Sequence, residues 1–235
     1  IISPINSSSA TTILKLAKEA NIPVVIADIG SDDGEYLSYI SSNNYKGAYE
    51  IGKVLATKMQ SLEWDKNGSV GIIAIPQKRA NGKARTQGFI KAMNEAGIKG
   101  AGIRQQVTFS KEETYRFAKE LIKANSDLQA LWLQGSDKYQ GALDAIKDSG
   151  KEGEILLICF DAEPIFLELI PKGVLVGAAM QQPYLMGQKA FETMIDYFNG
   201  KKVTKEIKLD VLAVSSDNIK KMMPTIKRNV LGLKE

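Results

Sequence analysis

Short apolar runs alternate along this chain with longer stretches in which apolar positions recur every three or four residues, the two periods of strand and helix. Ile1 and Ile2 before Ser3-Pro4 read as the end of a strand. The first helical stretch, 7–20, opens on Ser and Thr start signals and places Ile13, Leu14, Leu16 and Ala17 on its apolar side. Strands are predicted over 22–27, 70–75, 103–107, 130–133, 155–160, 174–180 and 207–214. Helices are predicted between them over 46–62, 83–96, 111–124, 139–149, 163–171 and 183–199. Strands alternating with helices of this length imply βαβ units, hence an α/β fold whose parallel sheet carries helices on both faces.

Four polar side chains stand at strand ends or beside them: Asp28 after IPVVIA, Arg85 in ANGKARTQGF, Asp161 after ILLICF, and Gln181 after VLVGAAM. In an open parallel sheet ligands bind outside the carboxyl ends of the strands, so these groups are the candidate site. Two carboxylates, a guanidinium and an amide suit a small hydroxyl-rich ligand. Each also has a purely structural alternative: Asp28 as the shaper of the turn Asp28-Ile29-Gly30-Ser31, Asp161 as the cap of the helix predicted from 163, and Gln181 as a residue bonded to backbone. Arg85 near a helix start sits against the helix dipole, which favours a functional role. Alanine at Arg85 or Asp161 is expected to weaken binding with little change in stability if both face a ligand, whereas a capping Asp161 would affect stability alone.

Polar, strand-poor stretches at Ser41-Ser42-Asn43-Asn44, at Gln181-Gln182-Pro183 and near Asp210 break the pattern. They suggest two lobes with three crossings at Asn43, Gln182 and Asp210, one lobe holding 1–42 and 182–210, the other 43–181 and 211–235. Composition adds mainly exclusions. The 235 residues are 44% hydrophobic and 25% charged, enough for a sizeable core. The net charge of +4 is interspersed with acids, as in KEETYRFAKELIKA, and does not form a nucleic-acid patch. With no His in the chain and a single Cys159 inside an apolar run, nucleophile–base pairs and disulfide frameworks drop out. No apolar run approaches the ~20 residues of a membrane span. The Asp32-Asp33 pair reads as solvated, no metal or cofactor site is indicated, and Trp64 is expected to pack at a helix end. Phe109, Trp132, Phe160 and Tyr184 read as core aromatics taken singly, Phe109 alone gaining from its position.

The phrases IISPINSSS, AKEANIPVVIAD, ISSNNYKGAYEIGKVLA, KARTQGFIKAM, ALWLQGSDKYQGALDAI, ICFDAEP and LVGAAMQQPYLMG follow in order along the chain. Their order and spacing resemble the periplasmic sugar-binding proteins of the ribose-binding type. The resemblance implies a type I periplasmic binding fold, two Rossmann-like lobes joined by three hinge crossings, lacking here two leading strands and two helices of the first lobe. It implies that Asp28 accepts from sugar hydroxyls, that Arg85 donates to ring and hydroxyl oxygens, that Asp161 and Gln181 supply further polar contacts, and that Phe109 packs on the sugar ring. Ile29 stands where ribose binders carry a second arginine, and Gly135 where they carry an asparagine. Gln134 and Ser136 flank that gap as possible substitutes.

The function implied is capture of a neutral monosaccharide or relative for ABC-type import or receptor signalling, with a membrane permease or receptor as partner, no nucleic acid, and a monomeric chain. Its place would be periplasmic or extracellular, free or lipid-anchored, with a signal segment outside this chain. The effector-binding core of a lactose-repressor-type regulator and the sensor domain of a membrane receptor are alternatives. An enzyme is disfavoured, because no phosphate-binding glycine loop is present.

Overall fold

The computed structural model describes residues 1–233. In chain order its elements begin with α1 (Ser7–Glu19), β1 (Val25–Ala27), β2 (Ser38–Ser42), α2 (Asn44–Ser61), β3 (Ser69–Ala74) and α3 (Ala80–Glu95). Next come β4 (Lys99–Gln105), α4 (Lys111–Ala124), β5 (Leu128–Leu133), α5 (Tyr139–Lys147), β6 (Leu156–Phe160) and α6 (Phe166–Leu169). The chain continues through β7 (Gly177–Met180), α7 (Pro183–Phe198), β8 (Glu206–Leu209), β9 (Leu212–Ser215), α8 (Ile219–Thr225) and a π-helical turn, Ile226–Val230.

These elements form two compact units. One holds Ile1–Asn43, Gln182–Val211 and the tail from Pro224; the other holds Asn44–Gln181 and Leu212–Met223. In the smaller unit β1, β2 and β8 make a parallel sheet in the order β1-β2-β8, and Ile2 bridges Ile26 in parallel at its edge. Alternate residues of 24–27 face opposite helices: Val25 and Ala27 pack with Met186 and Ala190 of α7, while Val24, just before β1, and Ile26 pack with Leu14 of α1.

The larger unit has a six-stranded sheet, β4-β3-β5-β6-β7-β9, parallel except for β9 against β7. β4 lies on one side of β3 and the later strands on the other, so the winding reverses between β3 and β5. Strands covered on both faces read as unbroken apolar runs, which is why every residue of β3 is buried. Cys159 is among the buried residues of β6, and burial, with the nearby charges of Asp161 and Glu163, pushes its thiol up and leaves it inert. Gly88 lets α3 approach α2 closely: a Cβ there would lie 2.1 Å from the Tyr45 carbonyl oxygen.

Several expectations are corrected. The strand predicted over 207–214 is two strands in different sheets, β8 and β9, because the chain passes between units after Val211. β2 was unforeseen: three of its five residues are serines, and a buried serine strand carries no apolar period. The edge strand β4 starts earlier than predicted and is largely exposed, so its pattern is weak. The helix predicted over 163–171 shrinks to α6. The tail 211–235, expected with the second lobe, divides: from Pro224 it belongs to the smaller unit, where Asn229 Nδ2 donates to Gln182 Oε1 at 2.7 Å and Ile226 and Val230 are buried. The chain therefore also passes between units at Met223–Pro224, inside α8, in addition to its passages after Asn43, Gln181 and Val211.

Candidate ligand-binding site

In the larger unit the carboxyl end of the sheet is organised by Arg85, in the second turn of α3 and only 3% exposed. The close α2–α3 contact at Gly88 brings Asn44 within reach, and Arg85 Nε donates to its Oδ1 at 2.8 Å. Nη1 donates to the Gln134 carbonyl at 2.6 Å and to Asp161 Oδ2 at 3.2 Å. The guanidinium carbon lies 3.8 Å from the centroid of the Phe160 ring, a cation over an aromatic face. A guanidinium this deeply buried has to be paired, and the Asp161 carboxylate pairs it.

Asp161 follows β6 with a left-handed backbone, φ 69°, its N–H donating to the Ala179 carbonyl at 2.8 Å. It does not cap a helix: α6 starts at Phe166 with Ile165 in the capping position. Its Oδ1 accepts from Gln181 Nε2 at 2.5 Å. Gln181 Oε1 is buried and has no hydrogen-bond partner among the described residues. A carboxylate has room for about four hydrogen bonds, so the open capacity of Asp161 and Gln181 is that of acceptors. Groups that donate, hydroxyls above all, complement it.

Gln134 and Ser136 both have partners within the larger unit. Gln134 is fully buried; its Oε1 accepts from Ile75 N at 3.2 Å and Gln77 Nε2 at 3.3 Å, and its Nε2 donates to Thr86 Oγ1 at 2.5 Å. This network ties the ends of β3 and β5 to α3 and engages both ends of the amide. Ser136 Oγ donates to Glu163 Oε1 at 2.7 Å. A Cβ on Gly135 would meet only Asp137 Oδ1, 3.7 Å away, so the position is open space.

Phe109 also has a left-handed backbone, φ 54°, and its ring lies under Arg79 at 5.5 Å. Its loop is held by Glu113, which the sequence reading missed. Glu113 accepts from the N–H groups of Val107, Thr108 and Phe109 at 2.9–3.1 Å, while Ser110 Oγ accepts from Glu113 N at 3.0 Å. The signal was present as Ser110-x-x-Glu113, the spacing of a capping box. Burial pushes the Glu113 carboxyl up, but the N–H groups of Val107 and Phe109 outweigh it and hold it below the ordinary range.

In the smaller unit Asp28 follows β1 with φ 72°, its N–H donating to the Ile40 carbonyl and its carbonyl accepting from Tyr39 Oη at 2.8 Å. Tyr39, on the unforeseen β2, has its phenol pushed up to about 12 by burial, with the Asp28 charge adding to the effect. Asn43 N donates to the Leu209 carbonyl and Gln182 Nε2 to the Asp210 carbonyl, both at 2.8 Å, so the three expected hinge residues are anchored around the end of β8. Of the remaining residues named from sequence, Trp132 is core, stacked on Phe89 at 3.9 Å, Trp64 follows the end of α2, and Tyr184 is 54% exposed.

The family model described as periplasmic binding protein domain matches residues 1–202. The ribose import binding protein RbsB of Bacillus subtilis (strain 168) is 30% identical over 209 residues, covering 88% of this chain and 65% of the relative. The protein of the same name from Escherichia coli (strain K12) is 27% identical, covering 91% of this chain and 70% of its own length. Among solved structures, a periplasmic solute-binding protein of an ABC transporter from Actinobacillus succinogenes 130z with bound D-allose aligns with a TM-score of 0.84 at 22% identity, covering 93% of this chain and 78% of its own.

Proposed function

The chain belongs to the periplasmic binding protein domain family, with the type I fold of two α/β lobes and the first represented only in part, and from that premise we propose that it captures a neutral, hydroxyl-rich sugar for ABC-type import. The reading rests chiefly on the Arg85–Asp161–Gln181 cluster, whose open capacity is that of acceptors at the carboxyl end of a parallel sheet. Asp161 and Gln181 accept from sugar hydroxyls, Arg85 fixes Asp161 and offers its remaining donor capacity, and Phe109 presents its ring to the apolar face of the sugar. Asp28, on the smaller unit, accepts from further hydroxyls.

The named relatives are import binding proteins and not enzymes, which favours transport through a membrane permease over a regulator's effector core or a receptor's sensor domain. A periplasmic location accords with the description of the family. Ile29 and Gly135 remove a guanidinium and an amide relative to the ribose pattern, so the sugar differs from ribose or makes fewer contacts than ribose does in its own binders. Closure would proceed by rotation at Asn43, Gln182 and Asp210, where a few loop residues absorb the backbone change, with the passage at Met223–Pro224 following.

A thermal-shift screen of sugars, polyols, amino acids and organic acids tests the assignment. Stabilisation by one or a few sugars is expected, accompanied by a more compact scattering profile. Stabilisation by organic acids alone would overturn it.

A further inference from the structure

We propose that Glu113 is a positioning residue for the ligand site, clasping the main chain of residues 107–109 so that the Phe109 ring is held where a sugar can stack on it; this rests on the sugar-binding reading above. Val107 is 74% exposed and Thr108 is exposed as well, so apolar packing of these side chains does not fix the turn. A bulky aromatic residue at φ 54° is in a sparsely populated region that persists only when its surroundings over-determine it.

Glu113 supplies that determination. It is 6% exposed, and its carboxylate takes all three consecutive N–H groups of the turn. Hydrogen bonds to an ionised acceptor are roughly twice as strong as neutral ones. Glu113 is in turn fixed from both sides: Ser110 Oγ accepts its N–H, and the next residue, Thr114, receives a hydrogen bond from Gln106 Nε2 at 3.0 Å. Gln106 N donates to the Ala74 carbonyl, so the clasp is tied to the end of β3. A further contact, Arg79 over the ring at 5.5 Å, comes from the residue before α3. Glu113 thus acts through Phe109 without touching the ligand.

Glu113→Gln keeps the side-chain size, removes the charge and sets an amide NH2 against main-chain donors. In amide NMR spectra the signals of Val107, Thr108 and Phe109 should shift and lose exchange protection. With D-ribose and D-allose as probes, affinity for whichever binds should weaken about tenfold, equivalent to ~1.4 kcal/mol. In a Phe109→Ala background the same substitution should leave affinity unchanged, because the ring it positions is gone. A residue that only stabilised α4 would lower melting temperature in both backgrounds and leave affinity alone.

Unchanged 107–109 amide signals in Glu113→Gln would overturn the proposal, as would an equal affinity loss with and without Phe109. Should Glu113→Gln fail to fold, Glu113→Asp retains the charge one methylene short and should give a smaller version of the same amide changes; none would again overturn it. If neither sugar stabilises the wild-type protein, the sugar reading is what suffers, while the amide signals still judge the clasp.

Discussion

Asp28 and Asp161 each end a parallel strand in a left-handed turn, at φ 72° and 69°, and the two turns are secured by different means. At Asp28 the main chain is gripped, its N–H by the Ile40 carbonyl and its carbonyl by the Tyr39 phenol. At Asp161 the main-chain N–H is held as well, by the Ala179 carbonyl, but the carboxylate itself is also gripped, one oxygen by Arg85 and the other by Gln181. The first turn is built so that its aspartate could be replaced without releasing those main-chain bonds. The second cannot lose its aspartate without stranding a buried cation. A carboxylate at a strand end can therefore be a structural necessity, as it is at Asp161.

The largest effect expected follows from that difference. Asp161→Ala should lower stability to urea by ~3 kcal/mol, the low end for breaking a buried pair because the Asp161 side chain is 32% exposed. Adding Arg85→Met should recover part of the loss, since the stranded charge is then absent. The sequence-based expectation that alanine here would spare stability is thus revised by the 3% exposure of Arg85. A single variant as stable as wild type would remove the ion-pair side of the comparison.

A smaller effect probes the main-chain grip. Tyr39→Phe removes one hydrogen bond to Asp28 and should lower stability by ~1 kcal/mol. It should also alter the alkaline limb. Burial and the Asp28 charge favour the protonated phenol in the folded state, so this contribution is complete below the unfolded value of 10.0 and is lost as pH rises through about 12. Denaturation measured from pH 9 upward should show that slope in wild type and a shallower one in Tyr39→Phe. Identical slopes would mean that Tyr39 does not grip the turn. The smallest effect belongs to Gly135→Asn, one strand away from Asp161: with open space around the Cβ position, stability should stay within ~0.5 kcal/mol of wild type. A larger loss would show that the neighbourhood of Asp161 is more crowded than the turn at Asp28.

Polar residues after apolar runs were legible because strand bodies need apolar side chains on both faces, which makes the first polar residue beyond them conspicuous. Asp28, Asp161 and Gln181 announced themselves this way, Arg85 by a cation placed near a helix start, and Arg85, Asp161 and Gln181 do stand in one hydrogen-bonded cluster. Gln134 gives the same signal and is turned inward, because position alone does not say whether an amide finds partners within the fold. α4 was legible to the residue, its ends marked by Ser110 at the start and Asn125 at the finish. β2 was hidden because Ser38, Ser41 and Ser42 are buried while Ser38 satisfies its hydroxyl on the Thr204 carbonyl, a partner far away in sequence. The division of 207–214 into β8 and β9 was equally hidden, since both halves have strand composition and only tertiary pairing separates them.

The Arg85–Asp161 pair also governs how the surrounding solution is felt. Opposite charges 3.2 Å apart cancel at distances comparable to the Debye length, about 8 Å at physiological ionic strength. The cluster consequently offers lone pairs with little net field. A charged solute gains no long-range attraction from it, and a neutral one is held by short-range geometry that dissolved ions screen little. If the proposed reading holds, binding at this cluster should depend on the shape and hydroxyl pattern of the solute and be nearly indifferent to ionic strength.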